Sequence, residues 1–126
     1  MPTLNKVELI GHLGSDPEVR YTQAGEPVVT FTMATNESWT DKKGQKQERT
    51  DWHHVEAFGK LAEIARDFLK KGRQLYVEGT LRYDEWTDKE GTKRQTTRVR
   101  LSGPMARLIL LGPRPQDEPQ VEAPAA

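Results

Sequence analysis

Cysteine is absent from the 126 residues of this chain, which excludes a disulfide framework and any metal site built on thiolates. No apolar run approaches the roughly 20 residues that a membrane-spanning helix needs, and apolar residues make up only 34% of the chain. The first residues lack the basic, apolar and small-residue segments of a secretory signal. We therefore expect a cytoplasmic protein of about one domain, without a membrane partner.

Net charge is absent as well, because 19 basic residues balance 19 acidic ones; bulk charge thus indicates no nucleic-acid partner. The charges are unevenly placed. Residues 1–112 carry 18 Lys and Arg against 16 Asp and Glu, a net charge of +2, and residues 113–126 carry one Arg against three acids, a net charge of −2. The second stretch has four prolines and little to bury, so we expect one folded domain over 1–112 and a disordered acidic tail over 113–126.

Apolar residues alternate with polar ones along five stretches, which predicts five strands. These are "KVELIGHLG", "PVVTFTMATNESW", "RTDWHHVEAF", "RQLYVEGTLRYDEW" and "TKRQTTRVRLSG". Residues 15–29 read as a connection into the second strand, and two polar, glycine-centred hairpin loops are centred near residues 44 and 90. Between strands three and four, "GKLAEIARDFLKKG" changes to helical spacing, with Lys70 and Lys71 in the last turn and Gly72 as its stop.

Three strands, one helix and two strands form the element order of a five-stranded OB barrel. We therefore predict an all-β fold with one helix between strands 3 and 4, followed by the disordered C-terminal tail. Another small β-barrel or sandwich is the alternative.

The sequence offers no constellation for catalysis or metal binding. His53 and His54 are neighbours on a strand and point to opposite faces, so they cannot hold one ion together. The segment "HVE" matches part of the zinc deaminase motif, which also needs cysteines. The acids of "YDEWTDKEG" lie on a hairpin, where charges usually keep a loop soluble. We predict no enzyme, no cofactor and no metal site.

Alternation along "DWHHVEAF" sorts the side chains into two sets. His53, Val55 and Ala57 face one way, and the larger set faces the other, namely Trp52, His54, Glu56 and Phe58. Trp39 and Trp86 flank the two hairpin loops, each beside several Lys and Arg residues. Rings among cations suit a single nucleic-acid strand, since bases stack on rings and cations follow the phosphates. The same aromatics could instead fill a core or a subunit interface.

Four stretches resemble the bacterial single-stranded DNA-binding proteins of OB fold: "NKVELIGHLGSDPEVRYTQAGEPV", "FTMATNESW", "DWHHVEAFGKLAEIARDFLKKG" and "LYVEGTLRYDEWTD". The resemblance covers most of residues 5–103. It implies a nucleoid-associated homotetramer that wraps single-stranded DNA, without sequence preference, during replication, recombination and repair. A dimeric primosome-type accessory protein, which binds DNA and a helicase, is the alternative within the fold.

The resemblance also implies roles for particular residues. His53 resembles the family's interface histidine. The positions that resemble its base-stacking residues are Trp39, Trp52, Phe58 and Trp86, and those that resemble its phosphate-contacting cations are Lys42, Lys60, Lys71, Arg82 and Arg20.

Three features depart from the family pattern. His54 and Glu56 stand where a basic and an apolar residue are more usual, and Asp84 and Glu85 stand where cations are common; we expect these carboxylates to repel phosphate. Arg98 and Arg100 point outward on the next strand and would offset these acids if the strand register, which the sequence does not fix, brings them alongside. The tail is short and ends in "EAPAA", whereas family tails end in an acidic tip that recruits replication and repair proteins. The sequence therefore leaves the recruitment of such partners open.

Overall fold

Seven strands and one helix form between residues 2 and 112, the part of the chain that the computed structural model describes. The one helix in this part is not long and apolar enough to cross a bilayer. In chain order the elements are β1 (Val7–Leu13), β2 (Glu18–Tyr21), β3 (Pro27–Thr40), β4 (Lys46–Phe58), α1 (Gly59–Phe68), β5 (Gln74–Thr87), β6 (Lys93–Leu101) and β7 (Arg107–Leu111). The tail predicted over residues 113–126 lies outside the described residues.

Five of the strands close into a barrel in the order β1-β3-β4-β6-β5, because β5 also pairs with β1. All these pairs are antiparallel except β4–β6, which runs parallel where Val55 to Ala57 meet Val99 to Leu101. The helix joins β4 to β5 and packs against β3 and β4. The predicted five-stranded barrel with its single helix is thereby confirmed.

The core consists of side chains that alternate inward along each strand, as the pattern predicted. Fully buried members include Met33 on β3, Val55 on β4, and Leu75 and Val77 on β5. Removing each such side chain from water contributes about 1.5–3 kcal/mol. The helix adds its apolar stripe, in which Ala62 and Ala65 are buried while Leu61 and Ile64 pack against the core.

Two strands are not predicted by the alternation of apolar and polar residues. β2 lies within the predicted connection and pairs with β3, and β7 follows the predicted last strand and pairs with β5. In β2 three of the four residues are exposed, and β7 is Arg107 followed by four apolar residues, so neither strand alternates clearly. The helix also ends at Phe68, so that Lys70 and Lys71 follow it instead of forming its last turn.

Both predicted hairpin loops reduce to tight turns at the ends of long two-stranded arms. β3 and β4 stay paired out to Thr40 and Lys46, and β5 and β6 stay paired out to Thr87 and Lys93. The outer parts of these arms are exposed on both sides. Each arm therefore extends past the barrel core and offers its backbone and side chains to solvent.

Candidate nucleic-acid interface

One side of the barrel carries most of the predicted site residues. We call it the aromatic face, and it consists of the outward-pointing residues of β2, β3, β4, β6 and the second half of β5. Its members include Arg20, Thr30, Thr32, Trp52, His54, Glu56, Phe58, Arg82, Trp86, Thr96, Arg98 and Arg100. On β4, Val55 and Ala57 are buried while Trp52 is 57% exposed. The predicted facing of this strand is therefore confirmed.

Trp52 and Phe58 stand at the two ends of the outward row of β4. Six residues of extended chain separate them by about 20 Å, which leaves room for more than one nucleotide between the rings. The guanidinium carbon of Arg100 lies 5.3 Å from the centroid of the Phe58 ring, a cation–π contact that holds the ring half-buried on this face.

The indole of Trp52 rests above Gly14, immediately after β1. A Cβ atom added to Gly14 would lie 2.2 Å from Cζ3 of Trp52 and 3.0 Å from the Thr32 hydroxyl oxygen. The Gly14 amide donates to the Thr32 carbonyl, at 2.9 Å, which fixes the seat beneath the ring. Only glycine at position 14 leaves room for the indole to pack against the backbone here.

Trp86 and Arg82 belong to the outward row of β5. The Trp86 indole Nε1 donates to the Thr96 hydroxyl at 2.9 Å, so the ring is tied to the neighbouring strand while remaining 50% exposed. Arg82 stands directly opposite Arg98 in the β5–β6 register. This half of the face thus combines a held, accessible ring with two adjacent cations.

The two arms end in nearly the same sequence, a repeat that the alternation of single strands does not reveal. Residues 39–46 read W-T-D-K-K-G-Q-K and residues 86–93 read W-T-D-K-E-G-T-K. Both central glycines take the left-handed conformation, with φ of 81° at Gly44 and 83° at Gly91. The repeat places Lys89 in the same position relative to Trp86 as the predicted Lys42 has relative to Trp39, so Lys89 joins the candidate cations.

An aspartate organises each of these turns. Oδ1 of Asp41 accepts the amides of Lys43 and Gln45, both at 2.9 Å, and Asp88 repeats the pattern with Glu90 and Thr92 at 3.0 and 2.9 Å. The Gln45 amide is the main reason that the pKa of Asp41 lies below its usual value, and the Thr92 amide does the same for the pKa of Asp88. Both turns thus display their lysines on a pre-ordered backbone.

Trp39 is not on the aromatic face. It pairs with Gln47 in an unbroken β3–β4 register, and both positions have the parity of the core-lining residues Met33 and Val55. Trp39 and Trp52 therefore lie on opposite faces of the arm. A strand that meets both rings has to pass round the edge or tip of the arm.

The remaining predicted cations lie at the margins of the face. Lys60 is the second residue of α1 and lines a small cleft of about 190 Å³ together with Phe58 and Ser102. Lys71 is exposed in the turn after α1, where its amide donates to Asp16 Oδ1 at 2.9 Å. Arg20 is on β2, next to β3 in the sheet. Lys42, at the tip of the β3–β4 arm, is exposed as well.

Glu56 does not act as a free negative charge, which corrects the expectation of repulsion at this position. Although it points outward, it is only 7% exposed because three arginines cover it. Its carboxylate oxygens lie 3.2 Å from Nη1 of Arg98, 3.6 Å from Nη2 of Arg100 and 3.8 Å from Nη2 of Arg20. The parallel β4–β6 register sets Arg100 directly beside Glu56.

Asp84 and Glu85 separate onto opposite sides of the β5–β6 arm. Asp84 shares the parity of Arg82 and Trp86, and Glu85 shares that of Tyr83. Both carboxylates are exposed. Only Asp84 therefore stands on the aromatic face, next to the residues expected to meet DNA.

His53 is half-buried on the inward side of β4, and its Nε2 lies 2.8 Å from the Thr35 hydroxyl oxygen. Within residues 2–112 no group of three or more His, Cys, Asp or Glu side chains is arranged to hold a metal ion.

A second surface crosses β1, β5 and β7. In register, Ile10 stands beside Tyr76 and Tyr76 beside Ile109, and we call these three residues the apolar row. Ile10 is 56% exposed. Along one side the row is bordered by Glu78, which pairs with Lys6 at 2.8 Å and with Arg107 at 3.6 Å. The Lys6 contact is the main reason that the pKa of Glu78 lies below its usual value.

Comparison with known proteins adds to this geometry. Residues 4–106 match the model of the single-strand binding protein family. A protein of Xylella fastidiosa (strain 9a5c), "Single-stranded DNA-binding protein 1", is 58% identical over 100 residues, which are 79% of this chain and 74% of that protein.

Two solved structures are similar in fold as well as in sequence. A Plasmodium falciparum SSB complex with ssDNA has a TM-score of 0.84 at 33% identity, covering 89% of this chain and 98% of that one. A deletion mutant of the single-stranded DNA binding protein from Thermus aquaticus has a TM-score of 0.71 at 36% identity, covering 86% of this chain and 51% of that one. The chain described here therefore spans about half the length of that Thermus deletion-mutant chain.

Proposed function

Because the chain belongs to the single-strand binding protein family, we propose that it binds and protects single-stranded DNA during replication, recombination and repair. Binding is independent of sequence. The protein acts in the cytoplasm at the nucleoid, by binding alone and without catalysing a reaction. The matched family is that of the DNA-binding proteins themselves, so the helicase-accessory alternative receives no support.

The observation that carries this proposal is a set of accessible rings held in place among arginines on one face. Trp52 and Trp86 are each at least half exposed, and each is fixed by a neighbour, Gly14 or Thr96. Every base has a π-face, so stacking on these rings discriminates little between sequences. Trp52, Phe58 and Trp86 are assigned to stacking, and Arg20, Arg82, Lys60 and Lys71 to phosphates.

The arm tips extend the same path. Trp39 and Lys42 on one arm correspond to Trp86 and Lys89 on the other through the repeated turn. Because Trp39 faces the other side of its arm, we assign it to DNA that passes round the arm. This arrangement suits a strand that wraps the protein.

A fluorescence titration with poly-dT at two salt concentrations tests the proposal. Replacing Trp52 by alanine should weaken binding by about 1–3 kcal/mol, or roughly 5- to 150-fold, and should reduce the quenching of tryptophan emission. Tyr83→Ala is the matched control, since Tyr83 is an exposed ring whose parity places it off the aromatic face. Equal losses in both variants would contradict the assignment of the face.

The protein assembles as a homotetramer. The apolar row, with charged pairs along one side, suits contact with another copy, because an exposed apolar strip costs free energy until it is covered. His53 is proposed as an additional interface residue. Light scattering should give about 57 kDa, four times the chain mass of 14.3 kDa, and a mass near 29 kDa (two times 14.3 kDa) would contradict the tetramer.

A further inference from the structure

We propose that Arg98 binds a phosphate of the single strand between the Trp52 and Phe58 rings, with Glu56 as the positioning residue that holds its guanidinium. This inference rests on the proposed function and adds a contact to it. Arg98 is not among the cations predicted from the sequence, since its place in the face depends on how β6 meets β4 and β5.

The charge of the cluster favours an anion. Arg20, Arg98 and Arg100 surround the single carboxylate of Glu56, which leaves a net charge of +2. Arg82 stands opposite Arg98 on β5 and raises the local positive charge further. A buried carboxylate with one arginine would be a closed ion pair, whereas one carboxylate under three guanidiniums leaves positive charge for a further partner.

Arg98 is the member of the cluster that is both held and accessible. Within residues 2–112 its one hydrogen bond runs from Nη1 to Glu56 Oε2, at 3.2 Å, so four of its five N–H donors are unused. Its side chain is 37% exposed. Arg100 instead lies against the Phe58 ring, and its Nε is buried without a hydrogen bond in the same part of the chain.

A cleft of about 460 Å³ gives the phosphate a place beside Arg98. The polar side chains on its walls come from four strands and include the hydroxyls of Thr30, Thr32 and Thr96, together with His54, Arg20 and Arg98. Hydroxyl and guanidinium donors of this kind bind phosphate oxygens.

Two acids also line this cleft, Asp16 and Glu18. Both keep their negative charge, since the Lys71 amide that Asp16 accepts is neutral and Glu18 is exposed to solvent on β2. The four arginines of the region (Arg20, Arg82, Arg98 and Arg100) still outnumber its three carboxylates (Asp16, Glu18 and Glu56) by one. Because His54 lies between Trp52 and Glu56 on β4, the cleft sits on the direct path from one ring to the other.

A charge-matched double variant separates phosphate binding from mere neutralisation of Glu56. Glu56→Gln with Arg98→Gln keeps the net charge of the native protein. If Arg98 binds a phosphate, this variant should bind oligo-dT about tenfold more weakly at low salt. The plot of log affinity against log salt should also become shallower by about 0.7, the value for one phosphate on a single strand.

The control is a second charge-matched pair, Arg66→Gln with Asp67→Asn, which removes the 2.8 Å ion pair on α1 and should leave affinity and slope unchanged. If the Glu56/Arg98 variant binds like the native protein, Arg98 only neutralises Glu56 and the inference is wrong. Loss of binding in Trp52→Ala alongside that result would leave the proposed function standing. Failure of the native protein to bind oligo-dT would instead overturn the proposed function.

A measurement on the native tetramer covers the case in which the double variant does not fold. Phenylglyoxal labels accessible arginines, and mass spectrometry reads the labelling at each position. Bound oligo-dT should protect Arg98 severalfold and leave Arg66 unchanged. Equal labelling of Arg98 with and without DNA would overturn the inference.

Discussion

Replacing Gly14 by alanine should weaken DNA binding while leaving the fold intact. The added Cβ would stand 2.2 Å from Cζ3 of Trp52, so the indole must move by at least about 1.2 Å to reach an ordinary contact of 3.4 Å. Gly14 is not among the glycines with positive φ, and its backbone therefore accepts alanine.

The cost should fall on binding because the exposed Trp52 ring tilts off Gly14 once a methyl group occupies the space beneath it, while the backbone stays in place. Its side chain is 57% exposed, and the atom that the new methyl group meets is the far end of the ring. We expect the free energy of unfolding to change by less than about 1 kcal/mol. A displaced ring loses part of the about 1–3 kcal/mol that stacking contributes, so affinity for oligo-dT should fall roughly fivefold.

Gly11→Ala is the contrasting variant. A Cβ at Gly11 would lie 2.3 Å from the carbonyl oxygen of Ala34, which belongs to the β3 backbone of the closed barrel. Since this backbone cannot move aside alone, we expect a loss of stability of at least about 1–3 kcal/mol. In the molecules that remain folded, the Trp52 ring should keep its native position, and DNA binding should be normal.

For both variants, urea denaturation measures the free energy of unfolding and titration with oligo-dT measures the affinity for DNA. Native-like binding by Gly14→Ala would show that the position of the Trp52 ring is irrelevant to DNA. A loss of stability in Gly14→Ala as large as that in Gly11→Ala would show that Trp52 is a packing residue. Either result would refute the reasoning.

Three further predictions follow from the placement of single residues. Asp84→Lys should tighten oligo-dT binding and steepen its salt dependence more than Glu85→Lys, since only Asp84 is on the aromatic face; equal effects in titrations at several salt concentrations would contradict this facing. His53→Ala, which removes the contact with Thr35, should loosen the tetramer, so that light scattering and DNA binding both depend on protein concentration; an unchanged mass at high dilution would exclude an interface role. Deleting residues 113–126 removes three acids and one Arg and should leave folding intact while slightly strengthening DNA binding at low salt; markedly weaker binding would count against a separate acidic tail.

The inward and outward sets of β4 could be predicted from the sequence because a strand's pleat alternates its side chains whatever it pairs with. The same holds for the stripe of α1, whose spacing follows from the helical repeat. The turn repeat at residues 39–46 and 86–93 was also visible in the sequence. Its two copies lie in separate hairpins far apart in the chain, so the periodicity of single strands does not reveal it.

The state of Glu56 could not be predicted in this way. Its neutralisation requires Arg20, 36 positions earlier (56 − 20), and Arg98, 42 positions later (98 − 56). These residues meet only when β2 joins β3 and when β6 runs parallel to β4.

Local sequence thus determined the five barrel strands, the helix and the face on which each ring stands, since these depend on the covalent pleat and on nearby side chains. Tertiary structure alone decided which charges meet across that face, and it turned an expected repulsion at Glu56 into a positively charged cluster. Barrel closure sets the register between strands far apart in sequence, and an ion pair depends on that register because Coulomb attraction falls with the distance between the charges.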